Sequence, residues 1–391
     1  MVRYLNIAQT KAELEKCLHC AAKPCMKACP VGVSPCDFIA AAKDGSWDLA
    51  AEVIYQQNPM GEICGLICPD TFCMKACVRA NVDAPIRIPP LQALIMQKAR
   101  LHNVAFKEDC ASPNGKKVAV IGAGPAGFGA ITVLLRKGYS VKVFEKENVV
   151  GGALNLIPSE RLPREIITYE WRRLVQNSLL QVEFGMEITD YAALLNDGFD
   201  GIVVATGAQN FRMLGIEGEE NALPYTQYLS NPQKYATDGN VAIIGGGAVA
   251  VDCAITAKKQ GANHVEMFVR RRFGDMRITA AERQELLEQG TDITTMTRLT
   301  KIEKKSEKLT AYTVKTEFND EGRLQDIAET LVPRANFSHI ILALGSNGNS
   351  IKENDERIVY AGDVLNGGTT AVQAIASGKA AAEKLMAELT R

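Results

Sequence analysis

The chain has 391 residues, a formal net charge of −1 and 47% hydrophobic residues, which is typical of a globular protein with two or three domains. This charge balance lacks the basic surface that binds nucleic acid or anionic lipid, so neither is predicted as a partner. Residues 1–17 are polar and amphipathic and lack the apolar core and cleavage site of a signal peptide, which predicts a cytoplasmic location.

Most of the cysteines fall into two groups near the N-terminus. The first group has the spacing C-x2-C-x4-C-x3-C-P, and the second has the spacing C-x3-C-x4-C-x3-C. The groups consist of Cys17, Cys20, Cys25 and Cys29, followed by Cys64, Cys68, Cys73 and Cys77. Cys36, Cys110 and Cys253 stand alone in the sequence.

These cysteine groups favour iron–sulfur clusters over disulfides or zinc. A reducing cytosol disfavours disulfides, and the first spacing is a stretched form of the bacterial iron–sulfur run. In that pattern three close thiolates hold one cluster and the fourth binds the other, which predicts two 4Fe-4S clusters. Zinc is the alternative, but zinc sites usually pair two C-x2-C units or include histidine. We expect none of the four histidines, His19, His102, His264 and His339, to bind metal.

The segment between the two cysteine groups has helical periodicity. Asp44-Gly45 breaks the pattern and Asn58-Pro59 ends it. Residues 1–112 are therefore predicted to form a small helical domain, and the sequence EDCASPNGKK that begins at residue 108 is predicted to be a linker.

A dinucleotide-binding motif follows this linker. The sequence KKVAVIGAGPAGFG reads as a strand, a glycine turn and a helix, and this pattern argues against a membrane span in the uncharged run 118–135. Gly122 allows the tight turn, Gly124 lets the backbone approach a pyrophosphate, and Gly127 lets the helix pack on the strand. Glu145 ends the next strand, where a carboxylate accepts hydrogen bonds from ribose hydroxyls.

A second unit of the same kind begins at NVAIIGGGAVAVD. Gly245, Gly247 and Ala250 occupy its three fingerprint positions. In the first unit the second strand ends in Glu145, whereas the corresponding strand of this unit ends in three arginines, 270–272. Guanidinium groups bind a 2′-phosphate by charge-assisted hydrogen bonds. The second site is therefore predicted to bind NADPH. The alternative is that these arginines form a solvated face.

Three later segments complete the pattern. The strand FDGIVVATG ends at Ala205-Thr206-Gly207, SHIILALG repeats it at 343–345, and IVYAGD places Asp363 at the end of a strand before a C-terminal helix. With the first glycine motif, these segments resemble the flavoproteins that have two dinucleotide domains. That resemblance implies FAD in the first site, Asp363 against the ribityl chain, and a nicotinamide domain inserted into the FAD domain. No C-x4-C pair lies near the flavin segment, which disfavours a disulfide reductase.

The N-terminal cysteines make the resemblance more specific. With CVRANVDAPIRI, Leu91-Gln92 and GEICGLICP, the chain resembles the family of the glutamate synthase small (beta) subunit and the dihydropyrimidine dehydrogenase flavoprotein subunit. This implies an electron-input subunit that oxidises NAD(P)H at FAD and passes electrons through two 4Fe-4S clusters to a partner catalytic subunit. A free-standing NADPH:ferredoxin or quinone oxidoreductase and a non-enzymatic redox sensor are the alternatives.

The predicted fold class is α/β, with an N-terminal helical iron–sulfur domain and two Rossmann-like domains, the second inserted into the first. The predicted domains are 1–112 for the clusters, 113–210 with 335–391 for FAD, and 211–334 for NADPH, with NADH possible. No residue of the chain is expected to catalyse proton transfer to a small organic substrate.

The resemblance also implies a set of site residues. One cluster is held by Cys17, Cys20, Cys25 and Cys77, and the other by Cys29, Cys68, Cys73 and Gln92. Cys64 is then not a ligand, although it is the alternative to Gln92. The FAD residues are Gly122, Gly124, Pro125, Ala126, Gly127, Glu145, Lys146, Gly152, Arg161, Ala205, Thr206, Gly207, Gly362, Asp363, Thr370 and Ala371. The NADPH residues are Gly245, Gly246, Gly247, Ala248, Val249, Arg270 and Arg271.

Overall fold

The computed structural model describes residues 4–107, 110–349 and 355–390. Part of the N-terminal segment used for the localisation prediction (1–3) and the first two residues of the predicted linker (108–109) lie outside the described residues. The chain divides into two compact units, Met1–Asn155 with Ser159–Asn210 and Asn347–Arg391, and Leu156–Pro158 with Phe211–Ser346.

The helices in chain order are α1 (Ile7–Glu15), α2 (Pro24–Lys27), α3 (Pro35–Lys43), α4 (Trp47–Gln57), α5 (Gly61–Ile67), α6 (Ile88–Leu101), α7 (Pro125–Arg136), α8 (Arg164–Val175), α9 (Tyr191–Asn196), α10 (Tyr225–Ser230), α11 (Ala248–Lys259), α12 (Ala280–Glu288), α13 (Asp363–Asn366) and α14 (Ala371–Leu389). The strands are β1 (Lys117–Ile121), β2 (Ser140–Glu145), β3 (Leu180–Phe184), β4 (Gly201–Val204), β5 (Asn210–Phe211), β6 (Leu223–Pro224), β7 (Asn240–Ile244), β8 (His264–Val269), β9 (Asp292–Thr295), β10 (Thr297–Lys305), β11 (Lys308–Phe318), β12 (Leu324–Leu342), β13 (Ser346–Asn347) and β14 (Ile358–Tyr360).

The N-terminal region is helical, as the sequence predicts. Helix α3 ends before Asp44-Gly45 and α4 ends at Gln57, one residue before Asn58-Pro59. Helices α5 and α6 pack so closely that a Cβ at Gly65 would lie 2.4 Å from the backbone nitrogen of Ala93. This contact fixes α6 against the helix that carries Cys64.

The first unit also contains a five-stranded parallel sheet of strand order β14-β4-β1-β2-β3. Helices α7 and α14 pack against each other through small residues, since a Cβ at Gly378 of α14 would lie 1.9 Å from the carbonyl oxygen of Ala126 of α7. The uncharged run 118–135 is split between β1 and α7. Among the described residues, no helix combines the length and apolarity needed to cross a bilayer.

The N-terminal helices and this sheet belong to one compact unit, so the predicted division at residue 112 does not separate two units. Helix α8 provides part of the contact: the Glu170 carboxylate accepts a hydrogen bond from the backbone N–H of Glu62 at 2.7 Å, and Arg173 donates to the carbonyl of Pro59 at 3.1 Å. On α7, Arg136 donates to the carbonyl of Gln56 at 2.7 Å.

The second unit contains a seven-stranded mixed sheet of order β10-β11-β12-β7-β8-β9, with β6 paired to β12. Strands β12, β7, β8 and β9 are parallel, whereas β10, β11 and β12 are antiparallel. The unit extends to Ser346, beyond the predicted boundary at 334, because the end of β12 pairs with β7 from Phe337 to Leu342. The predicted fold class is confirmed, and the second unit interrupts the first.

Candidate functional site

Four predicted ligands of the first cluster line one cavity in the helical region. The cavity brings the sulfur-bearing side chains of Cys17, Cys20 and Cys25 together with Cys77, which is far away in the sequence. Its walls are completed by apolar residues, among them Ile39 and Ile88, which are at most 2% exposed. A group of four thiols enclosed by apolar walls is the arrangement that a 4Fe-4S cluster requires.

A fifth thiol, which stands alone in the sequence, lines the same cavity. Cys36 lies in the first turn of α3, and its Sγ is 3.8 Å from Nδ1 of His19. The ligand atoms of Cys17, His19 and Cys36 all lie within 4.8 Å of one another. Spacing could not reveal this contact, because the turn after Pro30 brings the start of α3 back to the cavity.

The second group of thiols consists of Cys29, Cys64, Cys68 and Cys73. Cys68 donates a hydrogen bond to the Cys64 sulfur, which raises the pKa of Cys68 and lowers that of Cys64. The Asn58 side chain also hydrogen-bonds Cys64, which is only 1% exposed. Burial raises the pKa of Cys29, and the charge of the nearby Cys64 adds to this rise. Cys64 is therefore close to the predicted cysteine ligands of the second cluster, although it is not one of them.

Gln92, the predicted non-cysteine ligand, is buried on α6. Its side-chain amide donates a hydrogen bond to the carbonyl oxygen of Gly61 at 2.8 Å, at the start of the helix that carries Cys64. This contact anchors the nitrogen of the amide and leaves the oxygen as its remaining polar atom. The structure therefore holds both Cys64 and Gln92 in the region of the second group.

The chemistry of the donor set fits iron–sulfur clusters. Burial, with a smaller contribution from neighbouring thiolates, raises the pKa of Cys17 to about 11 and that of Cys73 to about 12. Buried thiolates are therefore costly without a cation, and bound iron supplies that positive charge. Thiolate sulfur is the ligand that iron–sulfur clusters use.

The second group lies towards the parallel sheet of its unit. Lys379 on α14 is close enough to Cys29 for that thiolate to raise its pKa, although burial and the charge of Arg136 lower it overall. The first group lies at an exposed face, since Leu18 and Val78 line its cavity and are 51% and 38% exposed. Cys25 and Cys73 interact electrostatically, so the two groups are neighbours.

The first glycine loop has the geometry of a dinucleotide site. Gly122 has a φ of +106°, and a Cβ at Gly127 would lie 2.1 Å from the carbonyl oxygen of Gly122, so larger residues would displace α7 from β1. At Gly124, by contrast, a Cβ would have only the Cα of Gly152 near it, at 3.9 Å. The open space beside Gly124 lies at the start of α7, where backbone N–H groups attract a pyrophosphate.

Of the predicted acidic residues, Glu145 is the last residue of β2, whereas Asp363 begins α13, shortly after β14. The Glu145 carboxylate accepts hydrogen bonds from the backbone N–H of Ala123 at 2.7 Å and of Glu147 at 2.9 Å, which fixes it beside the glycine loop. Burial raises the pKa of Asp363, whose carboxylate accepts hydrogen bonds from the backbone N–H and hydroxyl of Thr369.

The other predicted FAD residues occupy turns around this edge of the sheet. Thr370 caps α14 through a capping box with Gln373, and Ala371 follows it. Pro125 and Ala126 begin α7, and Ala205, Thr206 and Gly207 form the turn after β4. Lys146 is exposed, Arg161 is partly exposed, and Gly362 donates its N–H to the Ser377 hydroxyl at 2.8 Å.

The second glycine loop repeats this geometry in the other unit. A Cβ at Gly245 would lie 2.3 Å from the carbonyl oxygen of Ala343, and one at Gly246 would meet Val269 at 2.8 Å. Nothing lies within 4 Å of a Cβ placed at Gly247, which precedes the first turn of α11 with Ala248 and Val249. This loop also leaves space for a phosphate at the start of a helix.

Arginines gather at the end of β8. Burial lowers the pKa of Arg270, and the positive charges of Arg271, Arg212 and Arg298 lower it further. Arg272 instead lies over the ring of Phe318, 4.8 Å from its centroid. Arg212 and Arg298 could not be predicted from the sequence pattern, because they reach this cluster from other segments of the chain.

Known proteins match both parts of the chain. The model of the pyridine nucleotide-disulphide oxidoreductase family matches residues 116–378, and the model of dihydropyrimidine dehydrogenase domain II, 4Fe-4S cluster, matches residues 1–104. The NAD-dependent dihydropyrimidine dehydrogenase subunit PreT of Escherichia coli O157:H7 is 30% identical over 95% of this chain and 92% of its own length. The glutamate synthase [NADPH] small chain of Escherichia coli K12 is 27% identical over 97% of this chain and 91% of its own length.

A solved structure supports the fold. FprA of Mycobacterium tuberculosis in complex with NADPH has a TM-score of 0.61 and 13% identity, and the match covers 70% of this chain and 85% of FprA. With the two family matches and the near full-length relatives, these findings identify the fold and the N-terminal module. The chain belongs to the pyridine nucleotide-disulphide oxidoreductase family and has an N-terminal 4Fe-4S domain of the dihydropyrimidine dehydrogenase type.

Proposed function

We propose that this protein is an electron-input flavoprotein subunit that oxidises NAD(P)H at FAD and passes electrons through two 4Fe-4S clusters to a partner catalytic subunit. The observation that carries the proposal is that the first unit contains both the thiol groups and the first glycine loop. Two neighbouring groups of thiols and the parallel sheet with the first glycine loop form one compact body, in which the charge of Cys29 acts on Lys379 of α14.

The cofactor assignments follow the site residues. Cys17, Cys20, Cys25 and Cys77 hold the cluster at the exposed face, and Cys29, Cys68, Cys73 and Gln92 hold the cluster nearer the sheet. FAD binds at the loop of Gly122, Gly124 and Gly127 with Glu145 and Asp363, and NADPH binds at the loop of Gly245 and Gly247 with Arg270 and Arg271. The functional divisions are 1–112 for the clusters, 113–210 with the C-terminal segment predicted as 335–391 for FAD, and 211–334 for NADPH. The division between the last two moves to Ser346, where the second unit ends.

The chain's own residues orient and shield the electron carriers. A bound flavin accepts hydride as an electron pair and can release single electrons, which is the form that iron–sulfur clusters carry. The start of α7 offers backbone N–H groups to a pyrophosphate, and buried apolar residues such as Ile39 and Ile88 shield the first group of thiols from water. Leu18 and Val78 expose apolar surface beside the first group, where a partner can approach its thiols.

The partner is proposed to be a separate catalytic subunit. PreT is a subunit of a dihydropyrimidine dehydrogenase and the glutamate synthase relative is a small chain, so both act with another polypeptide. A cytoplasmic location, where NAD(P)H is available, is part of the proposal.

We expect the protein, purified without oxygen, to be brown-yellow and to contain about one FAD, eight iron atoms and eight acid-labile sulfides per chain. Steady NAD(P)H-dependent reduction of an artificial dye is expected as well. Zinc in place of iron and sulfide would contradict the cluster assignment. If the protein did not reduce the dye, both enzymatic functions would be excluded and the non-enzymatic redox sensor would be the remaining alternative. Full turnover with ferredoxin or a quinone without another subunit would favour a free-standing oxidoreductase.

Gly247→Ala is expected to weaken nicotinamide binding by about tenfold or more, which is about 1.4 kcal/mol. The new methyl group meets no protein atom within 4 Å, so it would occupy the space reserved for a phosphate. The measurement is an equilibrium titration with NADP⁺, alongside the content of FAD and iron. Gly274→Ala is the control, because a Cβ there also has open space. Equal affinities in the two variants would show that no phosphate approaches Gly247.

A further inference from the structure

The cavity of the first cluster has one thiol more than the cluster needs. A 4Fe-4S cluster binds four protein ligands. The described lining of this cavity includes five cysteines, namely Cys17, Cys20, Cys25, Cys36 and Cys77. The spacing of the first group and the proposed ligand set leave Cys36 without a role.

Cys36 is held close to one of the proposed ligands. The sulfur atoms of Cys17 and Cys36 lie within 4.8 Å of each other, so they are neighbours in the cavity. His19 Nδ1 lies 3.8 Å from the Cys36 Sγ, and these three donor atoms form a group in which all lie within 4.8 Å. A small movement of the two side chains would therefore place the Cys36 sulfur where the Cys17 sulfur lies in the cavity.

The position of Cys36 is fixed by its helix. It is 8% exposed, and the following Phe38 and Ile39 of α3 are completely buried. The Asp37 carboxylate pairs with Lys23 at 2.7 Å, which ties the start of α3 to the loop between Cys20 and Cys25. A thiol held this way presents the same atom to the cavity whether or not Cys17 is bound to iron.

We propose that Cys36 is a reserve ligand of the first cluster, able to replace Cys17 at the iron that Cys17 binds. In this exchange the bond from iron to the Cys17 sulfur breaks and a bond from iron to the Cys36 sulfur forms. The proton of the Cys36 thiol passes to the released Cys17 thiolate, or to water where Cys17 is absent or modified, and no atom changes its oxidation state. The cluster at the exposed face is thereby retained when Cys17 is lost or modified. This inference rests on the proposed function.

The test uses alanine variants, because alanine offers no oxygen atom to the iron. The full-length protein is purified anaerobically, and iron, sulfide and FAD are measured with the electron paramagnetic resonance (EPR) spectrum of the dithionite-reduced form. We expect Cys17→Ala to keep about eight iron atoms with an altered signal from one cluster. Cys36→Ala is expected to keep the same content with the normal signal, and the double variant to lose about four iron atoms.

Several outcomes would overturn the reserve-ligand proposal. One is loss of about four iron atoms from Cys17→Ala alone, to the same extent as from the double variant. Another is full iron content in the double variant, which would mean that neither residue is a ligand. If wild-type protein itself lacks iron and sulfide, the proposed function fails instead, so the two failures are distinguishable.

A second measurement does not depend on the folding of the double variant. Iron release to a chelator in air is followed for Cys36→Ala, with Cys110→Ala as the control, because Cys110 is exposed and does not line the cavity. We expect Cys36→Ala to release the iron of its first cluster several-fold faster than the control. Equal rates would contradict a reserve ligand.

Discussion

Replacement of Arg270 and Arg271 together by glutamine is expected to weaken NADP⁺ binding by about a hundredfold or more, with little effect on NAD⁺. Only NADP⁺ offers a 2′-phosphate, and each charge-assisted hydrogen bond to it contributes about 1.5–3 kcal/mol. Two such bonds therefore account for at least about 3 kcal/mol, a factor of about 150 in the dissociation constant. Equilibrium titration of both nucleotides measures the difference.

The structure gives a reason for the choice of these two residues. The positive charges of Arg270, Arg271, Arg212 and Arg298 lie close enough together to affect one another. Their mutual repulsion is relieved by a bound dianion, whereas NAD⁺ brings no charge to this position. Arg298 is already paired with Asp326, which leaves Arg270 and Arg271 as the better donors.

Arg272→Gln is the matched control, because it also removes the positive charge of a guanidinium group, at the position directly after Arg271. Its guanidinium lies over Phe318, so we expect a much smaller change in NADP⁺ affinity. A wild-type preference for NADH would disprove the interpretation of the arginines. The two relatives differ here, since PreT is NAD-dependent and the glutamate synthase chain carries NADPH in its name.

The two glycine loops were predictable from sequence because their constraints are local. Gly122 needs a left-handed backbone, and a Cβ at Gly127 would collide with the preceding turn, so only glycine fits at these spacings. The helix breaks at Asp44-Gly45 and Asn58-Pro59 follow equally local rules. The fold class could be predicted from the sequence because it follows from these local patterns.

Features that depend on tertiary packing were not predictable from spacing. Cys36 joins the first group only because the turn before Pro35 returns α3 to the cavity. The boundary placed at 334 falls inside β12, which continues past Pro333 because its first half pairs with β11 and its second half with β7. The basic cluster around Arg270 likewise draws Arg212 and Arg298 from distant segments.

The fourth ligand of the second cluster is a choice between two residues that the structure holds in the same region. Cys64 lies among the thiols and shares a hydrogen bond with Cys68, so proximity alone favours it. Gln92 is anchored through its amide nitrogen to the carbonyl of Gly61, and its neutral oxygen would leave the cluster less negative than a fourth thiolate would. The two assignments therefore predict different iron contents for variants of Cys64 and Gln92, and different reduction potentials for the second cluster.

We expect Cys64→Ser to retain about eight iron atoms, because serine can keep the hydrogen bonds to Cys68 and Asn58. Cys64→Ala, which offers no oxygen atom to the iron, is expected to retain them as well. Gln92→Ala is expected to change the EPR spectrum and reduction potential of one cluster, since it removes both the amide oxygen and the anchor on Gly61. Gln92→Glu serves as the matched variant: it keeps an oxygen ligand but adds negative charge, and should lower the potential of the same cluster. Loss of about four iron atoms from Cys64→Ser, with an unchanged Gln92→Ala protein, would reverse the assignment, because only a ligand's removal releases the cluster.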